Sequence, residues 1–361
     1  MKQPRGQAAT RRWLIVGAVV GLLACLPGRE VAAQGGLSAY QILENMIGNK
    51  GKVSFEGERK SILYRDGQEA VTKQLIKQQA GGKLRIESTY PPKDQGELLI
   101  TNGMRRWHYL PDGNLLVMPA IPPPGIASQA RKIEMQQLLA NNELVREPDE
   151  EVAGRQAYVV LVRNRVSNQP RRRLWVDSTR WLELKSQYFD EGGKLVSCTF
   201  FTSIAFDPQF SPSEFAAPPP RSLAQQRLQN VEPFWPLLPE QVRSQMRWVR
   251  LPRAQDLPKG WVMHGNVTLL PSGDQQAVVL HFTSGVDTFS LFQRQVRPGQ
   301  EALRSQDLAR NAQALRALSA YTWRQGPVEF TLLGQRIAQE DLEALKKAME
   351  KAPQVGQPKS P

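Results

Sequence analysis

His108, His264 and His281 are the only three imidazoles in the 361-residue chain. Each falls in a stretch where apolar and polar residues alternate. None stands two or four residues from another imidazole or a thiol, the spacings that build a zinc site on a strand or a helix. The acidic run Glu147, Asp149, Glu150 and Glu151 precedes the turn residues of "VAGRQ" and reads as a solvated turn. No nucleophile elbow is present. Cys198 lies within a strand pattern and reads as a small buried hydrophobe rather than a reactive thiol. Acid–base, nucleophilic and metal chemistry therefore lack their residues. The expectation is a protein that is no enzyme and carries no metal or cofactor.

The side chains that stand out are apolar or cationic. In "MRRWHYL" one face carries Arg105, Trp107 and Tyr109, and the other carries Met104, Arg106, His108 and Leu110. Leu98 and Ile100 alternate on the preceding strand. The next segment, "VMPAIPPPGIA", sets Met118, Ile121 and Ile126 around rigid prolines, as a loop over a cavity mouth would. These seven residues are the candidate lining of an apolar pocket, with Arg106 turned to water. A packed core is the alternative reading of the same set. Arg171, Arg172 and Arg173 form a cationic cluster suited to phosphate or carboxylate groups of a partner. A solvated strand edge that discourages aggregation explains them equally well.

The first 33 residues have the layout of a secretory signal. Lys2, Arg5, Arg11 and Arg12 form a basic start, and Trp13 to Ala24 is an apolar run too short to span a bilayer. Val31-Ala32-Ala33 is a small-residue cleavage site before Gln34. Two further readings share the segment. "LLAC" resembles a lipobox, which would lipidate Cys25 and tether the chain, and "TRRWLI" resembles a loose twin-arginine signal. Removing residues 1–33 takes five basic residues and one acidic one from a net charge of +13, leaving about +9. Export makes nucleic acid an unfitting partner. The excess charge better suits anionic lipid or an acidic protein.

Such side chains need a wall to hold them. After a short amphipathic helix capped by Ser38, the hydrophobic period changes to two, and turn signals recur every ten residues or so: Asp66-Gly67, Gly81-Gly82, Pro91-Pro92, Asn102-Gly103 and Pro111-Asp112-Gly113. A helix over about Ala127 to Asn141 interrupts this meander, which then resumes through "RQAYVVLVRNR", "RRRLWVD", "RWLELKSQYF" and "KLVSCTFFTSIAF". A sheet of some ten antiparallel strands must coil toward a barrel or half-barrel. The predicted class is α+β, mainly antiparallel β. Residues 36–218 form a large curved sheet with two helical pieces, and 219–247 a Pro- and Gln-rich linker. Residues 248–350 form a smaller α+β domain closed by "AQEDLEALKKAMEK", and 351–361 a tail. The two domains are expected to fold separately.

This order of elements resembles a known family. The helix, the long meander, the mid-chain helix and "LWVDSTRWLELKSQYFDEGGKLVSCTFF" resemble the N-terminal domain of RseB/MucB-type periplasmic regulators, which shares the half-barrel fold of the lipoprotein carriers LolA and LolB. "DLPKGWVM", "LHFTSGVDTFSLFQ" and "VEFTLLGQRIAQEDLEALKKAM" are similar to the family's small second domain. The resemblance implies an envelope-stress regulator in the periplasm. Such a protein binds the outer part of a membrane-embedded anti-sigma factor and lets go on sensing lipid, lipopolysaccharide or lipoprotein acyl chains. The same half-barrel also implies an alternative, a carrier of lipoproteins or lipids. "PRRRLW" and "EPFWPLLPEQ" have no counterpart in that pattern.

Overall fold

The computed structural model describes residues 36–65, 67–111, 115–119, 124–217, 236–237, 246, 248–272, 275–296, 319–334 and 338–352. Cys25, Ala33, Gln34 and Ile121 lie outside them. Helix α1 (Ala39–Asn49) starts at a reciprocal cap. Ser38 Oγ accepts from the Gln41 amide at 3.2 Å, and Gln41 Oε1 accepts from the Ser38 amide at 2.8 Å. The apolar stripe of α1 buries Ala39, Ile42 and Leu43.

The meander forms strands β1 (Phe55–Arg65), β2 (Gln68–Gln79), β3 (Lys83–Tyr90), β4 (Leu98–Asn102), β5 (Arg105–Tyr109) and β6 (Leu115–Pro119). Helix α2 (Pro124–Asn141) follows, then β7 (Asn142–Val152), β8 (Arg155–Asn164), β9 (Pro170–Asp177), β10 (Glu183–Phe189) and β11 (Leu195–Phe206). All eleven strands join in one antiparallel sheet, ordered β6-β5-β4-β3-β2-β1-β11-β10-β9-β8-β7. The first and last strands meet at its centre, and α2 carries the chain from one edge to the other. The curved sheet is unclosed, as the half-barrel expectation requires. Helix α2 starts earlier than the sequence pattern suggested. Proline at a helix's first position loses no hydrogen bond, because that amide is unpaired anyway, so Pro124 opens the helix instead of ending the loop.

A second sheet contains β12 (Pro236–Leu237), β13 (Val262–Ser272), β14 (Gln275–Thr283), β15 (Thr288–Gln295), β16 (Ser319–Gln325) and β17 (Val328–Gly334), ordered β12-β13-β14-β15-β17-β16. Helix α3 (Gln339–Lys351) buries Leu342, Leu345, Ala348 and Met349. Leu342, Leu345 and Met349 pack with Val278, Leu280, Phe282, Leu291, Phe330 and Leu332 in one core, and β17 is buried along its whole length. Two parts of the expected linker region belong to this domain: Pro236 and Leu237 pair with β13, and Met246 is buried in its core.

The two sheets meet at α2. Asn141 Nδ2, at its last residue, donates to the carbonyls of Gly260 and Ser284, both at 2.9 Å. Gly285 (φ +91°) lies so close to the helix that a Cβ there would sit 2.1 Å from the Leu138 nitrogen, a contact only glycine tolerates. Arg171 of β9 pairs with Asp287 at 2.7 Å, and Glu134 of α2 lies 3.5 Å from His264 of β13.

Candidate functional site

The register of the large sheet brings four of the sequence-selected apolar residues together. Leu98 pairs with Tyr109 and Ile100 with Trp107, so all four share one face. Leu98, Ile100 and Tyr109 are buried in a cluster, and the half-buried Trp107 packs against it. Met118 registers with Arg106, the alternate position to Trp107. Ile126 falls in the first turns of α2 rather than in a loop. Register also places Arg85 opposite Ile100 and Glu87 opposite Leu98. A recess of about 330 Å³ opens on that same face, lined by Leu75, Lys77, Arg85, Glu87, Ser213 and Glu214. Its lining is mostly charged, with a 2.9 Å ion pair between Lys77 and Glu214. Leu75 is 46% exposed there, a large apolar side chain open to water beside the buried cluster.

The three consecutive arginines have partners within the chain. Arg171 makes the bridge to Asp287 just described. Arg172 pairs with Glu183 at 2.8 Å and lies 4.6 Å above the Tyr188 ring. Arg173 pairs with Glu147 and stacks over Trp175, whose indole N–H donates to Glu150 at 2.8 Å. The run Glu147 to Glu151, which reads as a solvated turn, thus supplies two carboxylates to this cluster. Its physical signal, acidic residues facing a basic strand, needs the register of β7, β8 and β9 to be seen.

The opposite face of β1 to β5 carries a polar chain that sequence reasoning missed. Arg59 donates to Gln74 Oε1 at 2.7 Å, and Gln74 reaches Ser88 Oγ at 3.5 Å. Ser88 Oγ donates to Glu97 at 3.0 Å, and the other oxygen of Glu97 lies 2.7 Å from His108 Nε2. Gln74, Ser88 and His108 are all buried. Polar groups so deep in a sheet must satisfy one another, and this chain does so across β1, β2, β3 and β5, with Glu97 just before β4.

Arg106 sits on this face, two positions from His108 and opposite Thr101. The expectation that it faces water is corrected: it is half-buried, and burial lowers its guanidinium pKa below the ordinary arginine value. Alternation alone would turn one face of β5 to solvent, but at its end His108 and Tyr109, on opposite faces, are both buried.

Cys198 is buried, and burial pushes its thiol up. His281 Nδ1 lies 3.0 Å from Ser290 Oγ, and burial brings its pKa down to about 4. Among the described residues no three His, Cys, Asp or Glu side chains converge as a metal site. Nor is any described helix long and apolar enough to cross a membrane.

No curated protein matches the sequence closely enough to count as a relative. Similar solved structures include MucB in complex with MucA(peri), at 17% identity over 85% of this chain and 96% of that one, with a TM-score of 0.47. The complex of Pseudomonas aeruginosa MucA/MucB is 18% identical over 84% and 95%, with a TM-score of 0.47. A LolA superfamily protein from Nitrosomonas europaea is 12% identical over 50% and 99%, with a TM-score of 0.26. The sequence model of the MucB/RseB N-terminal domain matches residues 38–219, about half of the chain and the whole of the large sheet with α1 and α2. On that match, the chain belongs to the MucB/RseB family.

Proposed function

We propose that this protein is an exported, non-catalytic regulator. It holds the periplasmic part of a membrane-embedded anti-sigma factor and releases it when an acyl lipid, lipopolysaccharide or lipoprotein engages the half-barrel. The family match over residues 38–219 carries the reading. The second sheet supports it over a lipoprotein or lipid carrier of the LolA/LolB type. A carrier needs only the half-barrel, whereas here Asn141, Gly285 and Asp287 seat a second domain against it. On this reading Leu98, Ile100, Trp107 and Tyr109 form the apolar wall, while Met118, registered with Arg106, belongs to the opposite face and Ile126 to the start of α2. Arg172 and Arg173, already paired within the chain, serve a partner only by exchanging Glu183 and Glu147 for its acidic groups. Export proceeds by cleavage after Ala33, or by lipidation at Cys25 with retention at a membrane. The test is release. A complex preformed with the anti-sigma factor's periplasmic segment should dissociate on adding lipopolysaccharide or a long-chain acyl amphiphile. A complex indifferent to both would remove the sensing half of the proposal.

A further inference from the structure

Six arginines of the described residues bury an Nε that has no hydrogen-bond partner: Arg59, Arg106, Arg163, Arg172, Arg250 and Arg294. Five of them pair at least one terminal nitrogen of the fork. Arg59 donates to Gln74, Arg163 to Asn168, Arg172 to Glu183, Arg250 to the Met349 carbonyl and Arg294 to Glu329. Arg106 is the exception, with no hydrogen bond and no ion pair to any described residue. A guanidinium is always charged and offers five donors, and taking one out of water without a partner is costly. Burial lowers its pKa below the ordinary arginine value.

Its neighbours do not offer a partner. Thr101, opposite on β4, is buried and already accepts from the Gly103 amide at 3.2 Å. His108, about 7 Å along the strand, lies 2.7 Å from Glu97, whose other oxygen accepts from Ser88. Among the described residues, the carboxylate linked to His108, Glu97, is therefore engaged on both oxygens. What remains is a half-buried guanidinium, its Nε dry and unpartnered and its terminal nitrogens open to water, beside a buried polar chain.

We propose that Arg106 is the receptor of an oxyanion, the carboxylate or phosphate of a small or lipid ligand, bound on the face of the large sheet opposite to Trp107 and Tyr109. This site is separate from the apolar wall proposed above and stands or falls without it. A planar fork in a partly dry site favours a two-oxygen acceptor, and a charge-assisted hydrogen bond there is worth roughly ten- to hundred-fold in affinity.

The test uses the mature chain and three probes: oleate, oleyl alcohol and inorganic phosphate. Binding is followed by calorimetry in the wild type, Arg106→Gln and Arg106→Lys. The wild type should bind oleate at least ten-fold more tightly than the alcohol. Arg106→Gln should abolish that preference, and Arg106→Lys should keep part of it, because it holds the charge without the fork. Inorganic phosphate bound by the wild type and lost in Arg106→Gln would also support the site, with free phosphate as its source. Without ligand, Arg106→Met should melt at a higher temperature than the wild type, because it removes an uncompensated charge. A lower melting temperature for Arg106→Met overturns the proposal, since it would mean the charge is already satisfied. Equal binding of oleate and alcohol in the wild type, an anion preference that survives in Arg106→Gln, or competition for Arg106 by acidic peptides alone also overturns it.

Discussion

The contact between Gly285 and α2 invites a sharp perturbation. In Gly285→Ala the new methyl would lie 2.1 Å from the Leu138 nitrogen and 2.5 Å from its Cα, both backbone atoms that cannot swing aside. The turn must back away from the helix, and the two Asn141 hydrogen bonds to Gly260 and Ser284 lengthen with it. Those bonds contribute about 1 kcal/mol each. The Arg171–Asp287 pair, with both side chains 16% exposed, adds a further contribution on the order of 1 kcal/mol. Their combined loss, about 3 kcal/mol, would shift the docked equilibrium of the two sheets by roughly 150-fold. Alanine at φ +91° also costs about 1–2 kcal/mol of backbone strain, wherever the residue points. Gly326 supplies the control, because it has φ +60° in the same domain and open space where its Cβ would go. Gly326→Ala should lower the stability of the second sheet by the strain alone. Gly285→Ala should do that and also enlarge the hydrodynamic radius and deprotect the Ser284 and Asn141 region in hydrogen exchange. If the two variants match in radius and in exchange at α2, the junction is not held as described.

Four further expectations follow the same physics. His281 has its pKa brought down to about 4, below the 6.5 of the unfolded chain, so the folded state binds fewer protons between those values. Stability is full above pH 6.5 and falls as pH drops toward 4, by about 2 kcal/mol at pH 5. His264 is lowered by burial in the same direction, against the pull of Glu134. Urea titrations at pH 7 and 5 check this, and a flat profile contradicts it. Limited proteolysis should cut first between Ala217 and Gln245 and leave two resistant fragments, and a chain with no preferred cut there would not be two folding units. Ile100→Ala removes a fully buried side chain and should cost about 2–5 kcal/mol. Trp107→Ala should fold and alter acyl-chain binding per folded molecule; unchanged binding makes Trp107 part of the core alone.

The meander was legible because its signals are local. Alternation marks strands, and Asp66-Gly67, Gly81-Gly82 and Asn102-Gly103 mark turns wherever they occur, so most neighbouring strands could be paired from sequence order. The shared face of Leu98, Ile100, Trp107 and Tyr109 follows from the same rule. What was not legible depends on distant register. The chain Arg59–Gln74–Ser88–Glu97–His108 joins residues 9 to 15 positions apart across successive strands. The partner of Arg171 lies 116 residues away, in the turn between β14 and β15. Arg106 turned to water is the natural reading of one alternating strand, and it fails because cover on a sheet's second face leaves no mark in the strand itself. The brief pairing of Pro236 and Leu237 with β13 hides in a proline-rich stretch whose composition says linker.

The central claim is that this chain binds the outer segment of a membrane-embedded anti-sigma factor. The direct measurement is isothermal titration of the mature protein with the periplasmic segment of a single-span anti-sigma protein, in detergent- and lipid-free buffer. A saturable complex is predicted, weakened when lipopolysaccharide is present. Heats no larger than dilution, with both proteins shown to be folded, would contradict the account.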